Sequence, residues 1–423
     1  SHQHLGVLWD DFVADQKTNS HALTLDFEPL PFNHPLFIMY SSGTTGIPKC
    51  IIHSAGGAFL RQLCELVLNC DIKAKDRLFY FTTCGWMMWN WMLPALACEA
   101  GLMIYDGSPL YPGANILFDY AEKHQITHFG TSAKFIDTLK KQDYPAHQKH
   151  NLKALRTLLS TGSPLVAESY DYVYRQIKQD LHLVSISGGT DLLGCFVGAN
   201  PIGPVYRGQI QVATLGMDIE IWSEKGKPVQ HQKGELVCKK PFSSMPLGFW
   251  NDPDGQKYFN AYFTRFKNVW CHGDFAEQTV EGGFIIHGRS DATLNAGGVR
   301  IGTAEIYRQV EQFDQIEESV AVGQEWNDDT RIILFVRMKN NQKHLLNDDL
   351  KQAIRQKLRT NCSPRHVPSK IIAIDDIPRT RSGKITELAI RDTIHHRPIN
   401  NKEALMNPEA LNFYQHLKEL NED

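Results

Sequence analysis

A chain of 423 residues has room for two or three domains and a large core. With 44 Lys and Arg against 47 Asp and Glu, a formal net charge of −3 and 42% hydrophobic residues, it is an ordinary globular composition without general attraction for nucleic acid or an anionic membrane. Nine cysteines, an odd number with no C-x-x-C pair, indicate neither a disulfide framework nor a zinc ribbon, and they read as reduced and mostly buried.

Residues 1–35 read as an irregular lead-in, and its start, SHQHLGVLWDD, lacks the apolar centre of a signal peptide. The longest apolar region, WMLPALACEAGLMIY, is interrupted by Pro94 and Glu99, so no membrane span and a cytoplasmic location are expected. Across 36–202, short apolar runs such as LFIMY, RLFYFTT, LMIYD, THFGTS, LRTLLST and HLVSIS alternate with helix-period segments such as AFLRQLCELVLN and AKFIDTLKKQ. That alternation predicts a parallel β/α sheet with ligands at the C-terminal strand ends. Across 203–290 the runs shorten and Gly and Pro multiply, which predicts an antiparallel β subdomain. Across 291–423 the segments AEIYRQVEQF, RIILFVRM, NDDLKQAIRQKLR and KIIAID predict a small α+β domain. In the second of its helices Leu350, Ile354 and Leu358 share a face, and Asn347 is an N-cap candidate. The pair His395-His396 lacks nearby carboxylate or thiol spacing and reads as a solvated helix end.

The stretch YSSGTTGIPK, Tyr40 to Lys49, follows the first of these strands. Its Gly-rich backbone, hydroxyls and lysine suit an anion, with a polar turn as the plainer alternative. It is a poor ordinary P-loop, because Ile47 and Pro48 separate Gly46 from Lys49 and no hydroxyl follows the lysine. Four further stretches come after it in order: SGGTD (187–191), HGDFA (272–276), GRSDATLNAGGVRIG (288–302) and PRTRSGK (378–384).

Together the five motifs resemble the adenylate-forming acyl-CoA synthetase superfamily from Leu36 to the C-terminus. Within it, TTCGWMMWNW (82–91) and NNKEALMNPEAL (400–411) look most like members that activate acetoacetate. The resemblance implies a large N-terminal α/β domain, a small mobile C-terminal domain, and a two-step ligation. A carboxylate attacks ATP to give an acyl-adenylate and pyrophosphate, and the coenzyme A thiol then displaces AMP. It assigns Ser41, Ser42, Gly43, Thr44, Thr45, Gly46 and Lys49 to the phosphates. Gly162, Ser163 and Pro164 fall to the adenine, Thr190 to the nucleotide, and Asp274 with Arg289 to the ribose. An ionised Asp274 suits that task, since it accepts from both hydroxyls.

The resemblance also implies an acyl pocket of Trp86, Met87, Met88, Thr161 and Gly188, with Trp86 and Asn90 as candidate donors to a ketone. At the position of Gly188 acetate-using members carry Trp. Asp191 stands where the family usually has the Glu that serves Mg2+, one methylene longer. Lys384 is implied as the catalytic lysine of the first step. Asp291 matches the hinge about which the small domain turns, and Gly297, Gly298 and Arg300 match the coenzyme A residues. PRTRSGK has the P-x-x-x-x-G-K form by which protein acetyltransferases recognise related synthetases at the residue equivalent to Lys384. Members of the superfamily carry a large segment before the phosphate loop, whereas here the loop begins after about forty residues. Ligation of acetoacetate, ligation of another short acid, and a nucleotide-binding fragment without ligation are therefore all open.

Overall fold

Two strands, β1 (Pro35–Tyr40) and β2 (Cys50–Ser54), open the main body as an antiparallel pair. The computed structural model describes residues 8–11, 27–41, 49–294, 300–327, 329–380, 383–399 and 402–422. By its internal contacts the chain forms two units, 1–31 and 32–423, and among the described residues every strand belongs to the second. In the first unit the described residues are a helical turn at 9–11 and an irregular run at 27–31.

Next come β3 (Arg77–Tyr80), β4 (Gly101–Met103), β5 (His128–Ser132), β6 (Thr157–Thr161) and β7 (His182–Ser185), a parallel sheet in the order β4-β3-β5-β6-β7. Alternate residues feed two cores: Phe79, Phe129, Leu158 and Leu183 enter one, and Leu78, Tyr80, Leu159 and Val184 the other. This double burial explains why the strands read as nearly continuous apolar runs. Each crossover needs a helix, and Ala133–Lys141 shows how the sequence makes one. Ser132 at the end of β5 caps it by accepting from the Phe135 amide, 3.2 Å, while Phe135, Ile136 and Leu139 are buried. The same end of the sheet thus presents Tyr80, Ser132, Thr161 and Ser185.

The sequence pattern puts the first strand at the head of this β/α series. Instead β1 and β2 lie outside the parallel sheet, and β2 pairs on its other side with β13 (Gly248–Phe249). Their connection is too short for a parallel crossover, so a hairpin is the available solution. On β1 Leu36, Ile38 and Tyr40 are exposed, as are Phe59, Leu60, Val67 and Leu68 on the helices that come after β2.

A second antiparallel trio holds β8 (Ser187–Gly189), β9 (Gly194–Gly198) and β10 (Val212–Ala213). Then β11 (Ile219–Trp222), β12 (Lys233–Cys238), β14 (Trp270–Gln278) and β15 (Phe284–Arg289) form the antiparallel sheet expected in this region. In the C-terminal part β16 (Ile316–Trp326), β17 (Asp329–Met338) and β18 (Lys370–Ala373) carry helices Thr303–Val310, Asp348–Asn361 and Glu387–Ile394. Asn347 accepts from the Leu350 amide at 2.9 Å, and Leu350, Ile354 and Leu358 are buried as the spacing requires. The long strand β16 is hard to see in the sequence because Glu317, Glu318 and Glu325 punctuate its apolar run. His395 ends its helix by accepting from the Glu325 amide, 3.0 Å.

The nine cysteines are free; Cys70, Cys195, Cys238 and Cys271 are buried, Cys84 is exposed and the other four lie between, a more open distribution than expected. Among the described residues, no helix is long and apolar enough to cross a membrane.

Candidate nucleotide and acid site

The hairpin between β1 and β2 is closed at its base: the Ser41 amide donates to Lys49 O, 3.0 Å, and the Lys49 amide to Ser41 Oγ, 3.2 Å. Ser42, Gly43, Thr44, Thr45 and Gly46 lie outside the described residues. Lys49 Nζ sits 2.7 Å from Asp191 Oδ1, and Tyr262 donates its hydroxyl to the same oxygen at 2.5 Å. The Lys49 ammonium also stands 4.8 Å from the Tyr262 ring centre, and that ring stacks on Trp270 with centres 3.6 Å apart. Burial pushes the Asp191 carboxyl up, but Lys49, the His272 ring and the two hydrogen bonds prevail and hold it well below the usual carboxylate range. Burial, then Asp191, raises the Tyr262 phenol far above its ordinary value, so it remains a donor. Behind them His53 Nε2 donates to Thr190 O at 2.8 Å and fixes the turn that carries Asp191. Burial lowers His53 to about 4, opposed by the Thr190 carbonyl and Asp191, so the ring is neutral.

Asp274 on β14 and Arg289 on β15 are cross-strand partners, joined by Arg289 Nη1 to Asp274 Oδ1 at 3.0 Å. The buried His272 has Nε2 3.8 Å from Asp274 Oδ2, and its ring lies beside Gly189. Lys384 arrives from the other end of the chain. Its loop is held by Thr380 N–H to Lys384 O, 2.8 Å, Gly383 N–H to Thr380 O, 2.8 Å, and Arg379 Nη1 to Gly383 O, 3.0 Å, with Gly383 in the left-handed region at φ +82°. Lys384 is open to solvent. Even so, desolvation and then the Arg289 charge lower its ammonium, while Asp274 and Asp191 oppose them. Lys384, Asp191, Asp274 and Arg289 therefore share one electrostatic environment.

On the sheet side, Gly162 has φ +93°, and the position of its absent Cβ is 3.9 Å from the Trp86 ring and 4.0 Å from Ser132 Cβ. Ser163 is exposed and Pro164 half-buried. Thr161 donates to Ile186 O, 3.1 Å, which ties the end of β6 to the approach to β8. Trp86 lies edge-on to Tyr80, centres 6.0 Å apart, at the mouth of the core that buries Met87 and Met88; Asn90 is half-buried. Gly188 stands opposite Cys195 in the β8–β9 pair, and a Cβ there would fall 2.1 Å from Gly194 O and 2.5 Å from Cys195 Cα. The missing side chain of Gly188 thus points at backbone, not at open space. Close strand approach therefore requires glycine at this position.

Gly297 and Gly298 lie outside the described residues. Arg300 is committed elsewhere: Nη1 is 2.5 Å from Glu235 Oε1, Nη2 donates to Ser290 O at 3.0 Å, and the guanidinium covers the Phe275 ring at 4.6 Å. Asp291 is in a 3-10 turn, Ser290–Ala292, with Oδ1 3.9 Å from Arg289 Nε.

Sequence reasoning passes over His53, Tyr262 and His272. His53 could have been suspected as a polar residue in an otherwise apolar strand, CIIHS, and His272 as part of HGDFA. Nothing local marks Tyr262, whose role depends on Asp191 reaching it. Among the described residues no group of three or more His, Cys, Asp or Glu forms a metal cluster. Among the described residues Asp191 offers a carboxylate oxygen beside Lys49; Oδ1 is taken by Lys49 and Tyr262, which leaves Oδ2. That suits Mg2+, which binds few protein oxygens and keeps waters and phosphate oxygens.

Comparison with known proteins agrees with this layout. Residues 4–250 match the model of the AMP-binding enzyme family, and residues 309–384 match that of the AMP-binding enzyme C-terminal domain. The chain is 57% identical over 415 residues to acetoacetyl-coenzyme A synthetase of Rhizobium meliloti (strain 1021), covering 98% of this chain and 63% of that protein. It is 47% identical over 416 residues to acetoacetyl-CoA synthetase of Gallus gallus, covering 98% and 62%. The solved acetoacetyl-CoA synthetase from Streptomyces lividans superposes with a TM-score of 0.89 at 38% identity, over 96% of this chain and 63% of that one. The chain thus spans less than two thirds of the length of these relatives. On the family match and the fold that accompanies it, the chain belongs to the AMP-binding enzyme family.

Proposed function

We propose that the chain carries the adenylating centre of an ATP-dependent acid–coenzyme A ligase whose acid is acetoacetate. The carboxylate oxygen attacks the α-phosphorus, the bond to pyrophosphate breaks, and acetoacetyl-adenylate forms. The coenzyme A thiol, losing its proton, then attacks the acyl carbon and AMP leaves. The observation that carries this reading is the pairing of Lys49 with Asp191 at 2.7 Å and of Arg289 with Asp274 at 3.0 Å, and the charges of Arg289, Asp274 and Asp191 are also felt at Lys384. The first step brings two anions together, and cations fixed in advance at the reacting oxygens lower its barrier. Lys49 and the loop it closes hold the terminal phosphates. Asp274, oriented by Arg289, accepts from the ribose hydroxyls, and Gly162, Ser163 and Pro164 flank the adenine. Lys384 bridges the acid and the α-phosphate. Mg2+, held through Asp191, supplies further positive charge to the phosphates. The choice of acetoacetate rests on the relatives, and Trp86 and Asn90 are the candidate donors to its ketone.

For the thioester step Arg300 exchanges Glu235 for a phosphate of coenzyme A, and Gly297 and Gly298 pass its pantetheine arm as the small domain turns about Asp291. Lys384 on its exposed turn is also the acceptor for a protein acetyltransferase, which would remove the charge used in adenylation. The nine free thiols suit a reducing, cytoplasmic setting.

The test is the product. Acetoacetate-dependent release of AMP and pyrophosphate is expected, and Lys384→Ala should suppress acyl-adenylate formation while sparing thioester formation from supplied acyl-adenylate. ADP as product, or nucleotide binding with no acid-dependent turnover, would overturn ligation; equal loss of both half-reactions would remove the role of Lys384.

A further inference from the structure

The turn that carries Lys384 is tied to the helix Ala133–Lys141 through a chain of charges. Arg379, whose Nη1 holds Gly383 O at 3.0 Å, is ion-paired through Nη2 with Glu318 on β16. Glu318 is buried, and its other oxygen is 3.1 Å from Lys134 Nζ in the first turn of the helix. One face further along the same helix, Lys141 Nζ donates to Glu317 O at 2.9 Å. Spacing of i and i+7 puts both lysines on one side of the helix, and that side meets β16. The buried Glu318 carboxylate has one cation on each oxygen, which holds it in a narrow geometry; losing Lys134 leaves Oε1 without its partner and the carboxylate free to turn under Arg379. Lys134 is the second residue after β5, whose end also faces the candidate site, so a displacement of the small domain relative to that sheet must separate Lys134 from Glu318.

We propose that Lys134 is a positioning residue for the catalytic turn: through Glu318 and Arg379 it fixes Gly383 and Lys384 in the arrangement used for adenylation. The inference rests on the functional reading above for its kinetic consequence, but its structural consequence can be measured without turnover. Lys134 is about half exposed, with 47% of its side-chain surface accessible, so Lys134→Met should fold.

Hydrogen exchange at the Thr380 and Gly383 amides of the full chain, without substrates, should quicken roughly three- to tenfold in Lys134→Met, as expected for loss of a partly exposed charge pair. Lys134→Arg should restore it. In half-reactions Lys134→Met should slow acid-dependent pyrophosphate release by a similar factor and leave thioester formation from supplied acyl-adenylate and coenzyme A unchanged. Unchanged exchange at both amides would overturn the proposal, as would equal slowing of both half-reactions. If the wild-type chain releases no pyrophosphate with any acid, the functional reading falls while the exchange comparison still decides the role of Lys134.

Discussion

Lys49 Nζ and Asp191 Oδ1 lie 2.7 Å apart although 142 residues separate them in the chain. If Lys49 meets the phosphates and Asp191 the magnesium ion, as proposed, this pair would link anion and metal binding. Asp191→Asn should free Lys49 for phosphate and strengthen ATP binding in the absence of Mg2+, while removing most of the gain that Mg2+ brings. Lys49→Met should weaken ATP binding roughly tenfold, the scale of one charge-assisted hydrogen bond. Calorimetric titration with and without Mg2+ measures both effects, and identical metal dependence in wild type and Asp191→Asn would refute the linkage.

Gly188 makes a different case, since the obstacle to any side chain is the Gly194 carbonyl at 2.1 Å. Backbone cannot swing aside as a flexible side chain can. Gly188→Ala should therefore cost about 1–3 kcal/mol of stability by overpacking. Gly188→Trp should lose acetate, butyrate and acetoacetate together instead of retaining acetate. Acid-dependent AMP formation alongside urea unfolding distinguishes the outcomes: selective retention of acetate by a stable Trp variant would return Gly188 to the pocket wall.

Glu65 is a buried carboxylate with its acceptor capacity well used. Oε1 takes hydrogen bonds from Arg61 Nε and the Cys195 amide, Oε2 one from Trp91 Nε1, each 2.6 Å. It thereby joins its own helix to β9 and to the helix Met87–Met92. Glu65→Ala should destabilise the fold by about 3–5 kcal/mol, because Arg61 stays buried without its counter-charge. Replacing both, Arg61→Met with Glu65→Leu, should be less damaging than Glu65→Ala alone. Urea midpoints decide, and additive losses would argue against a coupled pair.

Two buried histidines set an acid limit. Burial lowers both His53 and His128 from 6.5 to about 4, with Thr190 and Asp191 opposing at the first, and Asp76 and the Cys70 carbonyl at the second. In the unfolded chain each binds a proton below 6.5, whereas in the fold each stays neutral until about 4. Their stabilising contribution is therefore complete above pH 6.5 and is lost as pH falls towards 4. Each should add up to about 1.4 kcal/mol per pH unit to the slope. Urea unfolding across that range should show it, with a shallower slope for His53→Asn.

The parallel sheet was legible because double burial leaves a plain apolar signal in segments such as LRTLLST, and the helix Asp348–Asn361 because its cap and buried stripe are both local. The place of β1 was not, since LFIMY specifies a strand but not its partner. Motifs supplied Lys49, Asp191, Asp274, Arg289 and Lys384 as separate expectations. What they could not supply were relations made only by folding: Tyr262 on Asp191, His53 under Thr190, and the backbone facing Gly188. Arg300 illustrates the limit from the other side, because its charge was evident and its partner Glu235 was not.

The unequal exposure of the cysteines provides a chemical handle. Burial raises the thiols of Cys64, Cys70, Cys98, Cys195, Cys238, Cys271 and Cys362, so near neutral pH they hold little of the thiolate that reacts with maleimides. Cys84 is exposed and belongs to the same TTCGWMMWNW segment as Trp86. A dye attached there under brief, substoichiometric labelling would stand beside the indole proposed to meet the acid, turning an ordinary surface thiol into an optical gauge of which acids enter and how fast they leave.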